Sequence, residues 1–433
     1  MSIPLDRLYH YIESIAQEIC DGRVIIYRFS PHGSKKIKDL NMLQAYKLVD
    51  IALNPQIICY DQEPLNYQLY ADAVMIEPEY ANLLMAAGLP KPQFNLRTGD
   101  GIVNIYDKDI LLHSECNSSE VEVYRNNNFI PVYYWSHATI ARDWFRYAKY
   151  ISQTKDIKKM FLVYNRAWAG TREYRLQFAN LLIQLGLQDY CQMSCNPIDP
   201  ELGIHYNSHC FENSIWQPTN VIEEYFPISD AESYYSADFN LKDYEMTNIE
   251  VVLETLFDDN RLHLTEKSLR PIALGQPFIL TSTSGSLEYL RRYGFKTFGQ
   301  IWNEDYDLID NSEERLVAIT DLMHDIANWG AALSKHKLAQ AQDIADYNKQ
   351  YFFSKEFHDI IINELRTNLT AGLALLETTN TSCRYITQRK TAVNYIPLVN
   401  YITVDRPGRT RQDLANIIKA ARQYYLRSLK HNS

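Results

Sequence analysis

LHLTEKSLRPIALGQPFIL, residues 262–280, places Thr265-Glu266-Lys267 between two apolar runs, with Pro271 and Gly275 following. Thr265 is a favourable N-cap, so the spacing predicts a helix from Glu266 to Leu274 with Gly275 as its stop. Pro271 lacks the amide that would bond to residue 267, so the first turn is expected to be irregular or kinked. The helix dipole favours Glu266 at this end and disfavours Lys267. An anionic ligand at the same helix end would reverse that penalty, which is a physical hint of a phosphate site. A surface ion pair on a capped helix fits the spacing equally well.

Outward from this stretch, PFILT (277–281) and NIEVVLETLF (248–257) read as strands, and SLEYLRRYGF (286–295) as a helix stopped by Gly294. Upstream, a second cycle begins at 158 with KKMFLVYNRAWAGTREYRLQFANLLIQLGL. Met160 to Tyr164 is a strand, the following Asn-Arg-Ala-Trp-Ala-Gly-Thr a loop, and Arg172 to Leu185 an amphipathic helix. Short buried strands are also expected at 22–29, 55–60 and 108–112, with helical patterns at LNMLQAYKLVDIAL and YANLLMAAGL between them. Residues 131–151 begin strand-like and become a helix, 201–243 read as a long irregular connection, and 310–375 are mostly helical by period. Alternating strands and helices define an α/β layered chain.

A chain of 433 residues exceeds one hydrophobic core, so two domains and an appendage are expected. The boundaries read as residues 1–155, 156–345 and a C-terminal helical or mixed extension at 346–433. No window approaches the roughly 20 apolar residues of a membrane span. The N-terminus lacks the basic flank of a secretory signal, and seven scattered cysteines fit a reducing compartment, so a cytoplasmic location is expected. The 32 tyrosines either line a wet groove or fill cores with satisfied hydroxyls. The formal charge is −10, yet residues 384–433 hold ten Lys or Arg against Asp405 and Asp413, a local balance of about +8. Arg389, Lys390, Arg406, Arg409 and Arg411 stand there among Tyr385, Tyr395 and Tyr401, a mixture suited to gripping phosphates and stacking bases. Nucleic acid is therefore a candidate partner.

Asn165 and Arg166 directly follow a buried strand, the position where ligands sit in open α/β sheets. The planar fork of Arg166 suits a diphosphate, whereas Arg172 and Arg175 fit simple solvation of the next helix. Cys191, Cys195, His205 and His209 carry zinc-ligand chemistry, but the nine-residue gap is short for a zinc finger, and no metal is expected.

Together, Asn165-Arg166 after a strand, the E-T-x-F of Glu254 to Phe257, TEKSLRPIALGQPFI (265–279) and GSLEYLRRYGFKTF (285–298) resemble the donor-binding half of glycosyltransferases with the two-domain GT-B fold. The likeness is greatest to the fucosyltransferase-like and exostosin-like branch and to phage-encoded proteins sharing the block, and it covers roughly residues 158–310. It implies two Rossmann-like domains facing each other across a cleft, with a nucleotide sugar as donor and no metal or other cofactor. It further implies that Arg166 and Lys267 bind the donor diphosphate and that Glu266 contacts the ribose or sugar. Asn165, Arg172, Glu254, Thr265 and Arg270 complete the donor-binding set. On that plan the D-x-D stretches at Asp107 and Asp305 are incidental. The chain departs from the fucosyltransferases in Arg270-Pro271 and in its unrelated N-terminal half.

A transferase also needs a group that deprotonates the acceptor hydroxyl. Asp61, Glu63 and Glu115 lie just past expected strand ends and are candidates. His113 and His137 are alternatives that fit a structural role better. For the acceptor, a glycan hydroxyl or a modified DNA base is consistent with the resemblance. A noncatalytic nucleic-acid-binding or virion-associated protein that retains the fold is the rival expectation.

Overall fold

The structure is a computed structural model. It describes residues 109–127, 129–226 and 239–380, together with strands at 25–30 and 56–61 and a few residues near positions 15–19 and 64–67. The chain divides into two compact units. One comprises Glu115–Ser118 and Ser136–Ile361; the other comprises the described residues within Pro4–Ser114, Ser119–Trp135 and Ile362–Ser433.

In the latter unit, β1 (Ile25–Ser30), β2 (Gln56–Asp61), β3 (Asp109–His113) and β4 (Phe129–Tyr133) form a parallel sheet in chain order. Helix α1 (Ser119–Asn126) joins β3 to β4 and packs on β4. Leu65, Leu111, Tyr124 and Phe129 form a buried cluster, in which the Tyr124 and Phe129 rings meet edge to face at 5.4 Å. The C-terminal part of a long helix lies against β4: Asn368 donates to the Tyr133 carbonyl at 2.7 Å, and a Cβ on Gly372 would sit 2.6 Å from Val132. Only glycine allows that approach.

The other unit begins its core with α2 (Ser136–Trp144). Its sheet consists of β5 (Lys159–Asn165), β6 (Cys191–Cys195), β7 (Thr247–Leu253) and β8 (Phe278–Thr281), all parallel, in the order β6-β5-β7-β8. Helices α3 (Tyr174–Gln184), α4 (Leu241–Met246), α5 (Glu266–Leu274) and α6 (Ser286–Arg292) alternate with these strands. After them come α7 (Ser312–Ala327), α8 (Ala331–Phe352) and α9 (Lys355–Asn380), the last reaching into the other unit. Ile249 through Leu253 are all buried, so β7 is covered on both faces, as a parallel strand requires. Helix α3 packs with α7, while α5 packs with α2 and α8.

The molecule is thus α/β with parallel sheets. Helix α5 has the expected bounds: Thr265 accepts from the Lys267 amide, and Gly275 adopts φ 71°. The expected irregular first turn is instead helical, and the helix continues through Pro271. Several described tyrosines of this unit are core residues with satisfied hydroxyls, whereas Tyr147, Tyr150, Tyr190, Tyr225 and Tyr347 are exposed. Tyr174 donates to the Glu254 carbonyl at 2.7 Å, Tyr351 to that of Tyr293 at 2.8 Å, and Tyr164 to Asp243 at 2.9 Å.

Candidate functional site

The order β6-β5-β7-β8 reverses the direction of winding at β5, so the loops after β5 and β7 flank a topological switch point. Leu162 lies opposite Glu250. Carried forward, that register sets Arg166, just past β5, beside Glu254, just past β7. The loop after β5 is fixed from below by Asp199, which accepts from the amides of Trp168 (2.8 Å), Ala169 (2.9 Å), Glu201 (2.9 Å) and Leu202 (3.1 Å). Burial opposes ionisation of Asp199, and the four amides outweigh it, holding its carboxyl below the ordinary range. This brace delivers Glu201 to both Arg166 (3.1 Å) and Arg172 (2.6 Å). Glu201 is likewise held low: burial raises it, but the hydrogen bond and charge of Arg172, with Arg166 behind, prevail. Arg175 does not solvate a helix surface. It is buried and donates to the carbonyls of Ala167, Leu253 and Glu254, tying the ends of β5 and β7 together.

At the head of α5 the anion is the chain's own. Glu254, fully buried, accepts from the Thr265 amide (3.0 Å), the Ser268 amide (3.1 Å), the hydroxyls of Thr265 (2.7 Å) and Ser268 (2.5 Å), and the Thr255 amide (3.1 Å). The Lys267 ammonium reaches Glu266 (2.9 Å), Thr265 (3.2 Å) and Thr255 (3.3 Å). The dipole penalty read for Lys267 is thus relieved internally. Arg270 lies one turn further on, against mid-strand Glu250 at 2.6 Å, with its guanidinium 4.6 Å from the Tyr164 ring centroid. Asn165 is fully buried under the loop, its side-chain amide bonded to Cys195.

A second polar layer adjoins Lys267. His137, at the start of α2, places Nδ1 3.4 Å from Glu266. The His263 ring stands edge-on to His137 at 5.0 Å. Arg261 bonds Asp259 (2.6 Å) and Glu115 (3.2 Å), and Cys116 exchanges both backbone hydrogen bonds with Leu262 (2.9 and 3.1 Å). Glu115 therefore comes to this layer through the β3–α1 loop. In the sequence His263 sits within an apolar run, and its apolar neighbours Leu262 and Leu264 are the one available signal that it is buried.

The side chains of Asp61 and Glu63 lie outside the described residues, as do Arg389, Lys390, Arg406, Arg409 and Arg411. The zinc-type residues are distributed. Cys191 and Cys195 are buried on β6, with burial pushing both thiols up to about 12, while His205 bonds Glu223 (2.9 Å) and His209 bonds Glu173 (2.7 Å). Among the described residues no group of three or more His, Cys, Asp or Glu is arranged to hold a metal ion, and no helix is long and apolar enough to cross a membrane.

In the second D-x-D stretch, both Asp307 carboxylate oxygens accept from the Leu287 amide (3.1 and 3.0 Å), so this residue caps α6. Burial, opposed by these backbone bonds, pushes its carboxyl up from 3.8 to about 6. Within that window the folded chain keeps a proton that the unfolded chain has lost, so this contribution to stability falls as pH rises. Asp307→Asn cannot titrate. Wild-type stability relative to that variant should therefore decline by about 2–3 kcal/mol between pH 3.5 and about 6.5 in urea unfolding; a pH-independent difference would contradict the assignment.

Comparison with protein-family models, with curated proteins and with solved structures returns no match for this chain.

Proposed function

We propose that the chain is a metal-independent glycosyltransferase that takes a sugar from a nucleoside diphosphate sugar. We read its two parallel sheets as the two Rossmann-like halves of the GT-B plan. The observation that carries this reading is the presence of Arg166, Arg172 and Lys267 at the carboxyl edge of β5 and β7, where the strand order reverses. On donor binding, the diphosphate replaces Glu201 as partner of the two arginines and Glu266 as partner of Lys267. Bond breaking at the anomeric carbon leaves charge on the diphosphate, and these fixed cations stabilise it. An acceptor hydroxyl on a glycan or on a modified DNA base fits this chemistry. A role in phage DNA modification would bring in the basic C-terminal segment.

One observation favours a noncatalytic relative instead: Arg166, Arg172, Lys267 and Arg261 each already have a carboxylate partner within the chain. A protein that kept the fold and lost the substrate would look the same. A thermal-shift screen of UDP, GDP, CMP and their sugar conjugates separates the two. Stabilisation by a nucleoside diphosphate that Lys267→Ala abolishes is the expected result, since a ligand that binds the native state raises its stability. No shift with any nucleotide would favour the binding-module reading, to be followed by salt-dependent DNA binding.

A further inference from the structure

His263 is 2% exposed, and neither of its ring nitrogens has a hydrogen-bond partner among the described residues. A neutral imidazole carries one donor and one acceptor, and leaving both unpaired in a folded interior is costly. Such orphans mark a bound water or a group kept for function. The surroundings are polar. His137 is edge-on at 5.0 Å, Glu266 lies 3.4 Å from His137, and Lys267 bonds Glu266 at 2.9 Å. In the first turn of α2, Ser136 and Thr139 also bury hydroxyls with no hydrogen-bond partner among the described residues. The orphaned imidazole therefore belongs to the layer that adjoins the proposed diphosphate ligand Lys267. Other histidines are committed elsewhere: His209 to Glu173 and His205 to Glu223.

We propose that His263 is the general base of the transfer reaction, the group that takes the proton from the acceptor hydroxyl. This rests on the glycosyltransferase reading and supplies a base that is neither ion-paired like Glu115 nor outside the described side chains. In the step, the acceptor O–H bond breaks and its proton goes to a His263 ring nitrogen. The oxygen forms its bond to the anomeric carbon, while the bond from that carbon to the donor phosphate oxygen breaks. The electron pair leaves with the diphosphate, and the imidazolium returns its proton to solvent as products depart.

Burial first, then the charges of His137 and Lys267, push the His263 imidazole well below 6.5, with Glu266 opposing them. It is therefore neutral, the form a base requires, across ordinary pH. A bound diphosphate reverses the sign of the local field, so proton affinity rises with donor bound. The acidic limb of kcat should lie at higher pH than that of kcat/KM.

The test uses the full chain, UDP- and GDP-sugars as probes, and water as acceptor. It reads nucleotide thermal shift and nucleoside diphosphate release for the wild type and for His263→Phe. The expected outcome is an undiminished nucleotide shift, a Tm that holds or rises, and release slowed on the order of 10²–10⁴-fold. Retained release with a retained shift overturns the base assignment and leaves the donor site standing. A fall in Tm with release retained marks a structural histidine and also overturns it. Nucleotide binding by the wild type without release at any pH overturns it too. Absence of any nucleotide shift in the wild type sinks the glycosyltransferase reading itself, before the variant is made. If His263→Phe does not fold, His263→Gln and the wild-type pH profile decide, and a kcat with no acidic limb rejects the proposal.

Discussion

Glu254→Ala is expected to destabilise the chain by about 3–5 kcal/mol, because it strands buried donors at the head of α5. One Glu254 oxygen accepts from the amides of Thr265 and Ser268 and from the Ser268 hydroxyl, and the other from the Thr265 hydroxyl and the Thr255 amide. The hydroxyls can turn to other acceptors. The Thr265 and Ser268 amides cannot, since both are buried in the first turn of a helix whose dipole also favours a negative charge there. Glu254→Gln keeps an acceptor oxygen and loses the charge, so about 1–2 kcal/mol is expected. Urea unfolding of both variants checks this. A loss below about 1 kcal/mol for alanine would mean the cap is replaceable, by water or by a shift of α5.

Arg270→Met should cost a similar amount, about 3–5 kcal/mol, for a different reason: it leaves a carboxylate buried without its cation. Glu250 is fully buried, takes two hydrogen bonds from the Arg270 guanidinium (2.6 and 3.1 Å), and accepts from the Tyr244 hydroxyl. Burial pushes the Glu250 carboxyl up even with Arg270 present. In the variant the deficit should therefore shrink on acidification, as protonation removes the stranded charge. Glu250→Leu combined with Arg270→Met removes both charges and should recover most of the loss, which a double-mutant cycle measures. A double variant as unstable as the single one would show that the cost is packing over Tyr164.

The contrast between these two glutamates explains how much was legible in the sequence. Helix α5 could be bounded from local chemistry alone, with Thr265 at one end and Gly275 at the other, because caps act within a few residues. Strands β5, β7 and β8 and helices α3 and α6 were legible from hydrophobic runs for the same reason, whereas β6, α1 and α4 were not, and the helical patterns LNMLQAYKLVDIAL and YANLLMAAGL lie outside the described residues. Apart from the Lys267–Glu266 pair, which the capped-helix reading allowed, the partners of the charged residues were not. Lys267 suggested an absent anion because nothing local marks Glu254, which comes from the end of a neighbouring strand. Arg175 looked like a solvated helix residue, and its carbonyl partners belong to two strands that only the sheet brings together. Arg270 joined the donor set on its place in a motif, yet it faces Glu250 at mid-strand. His263 carried no pattern beyond its apolar neighbours.

The shared Glu201 between Arg166 and Arg172 has a consequence for selectivity. Glu201 offsets part of the positive charge that the two arginines present in the resting form, so a stray polyanion gains less by approaching the edge. A ligand that docks there exchanges one anion for another, and such an exchange releases few counterions and depends weakly on salt. A lone inorganic phosphate would compete poorly with a tethered carboxylate. Under the proposed function, a diphosphate held at once by its sugar and its base would gain contacts that a fragment lacks and so displace Glu201. On that reading the two arginines would act as a threshold that rewards whole substrates over fragments.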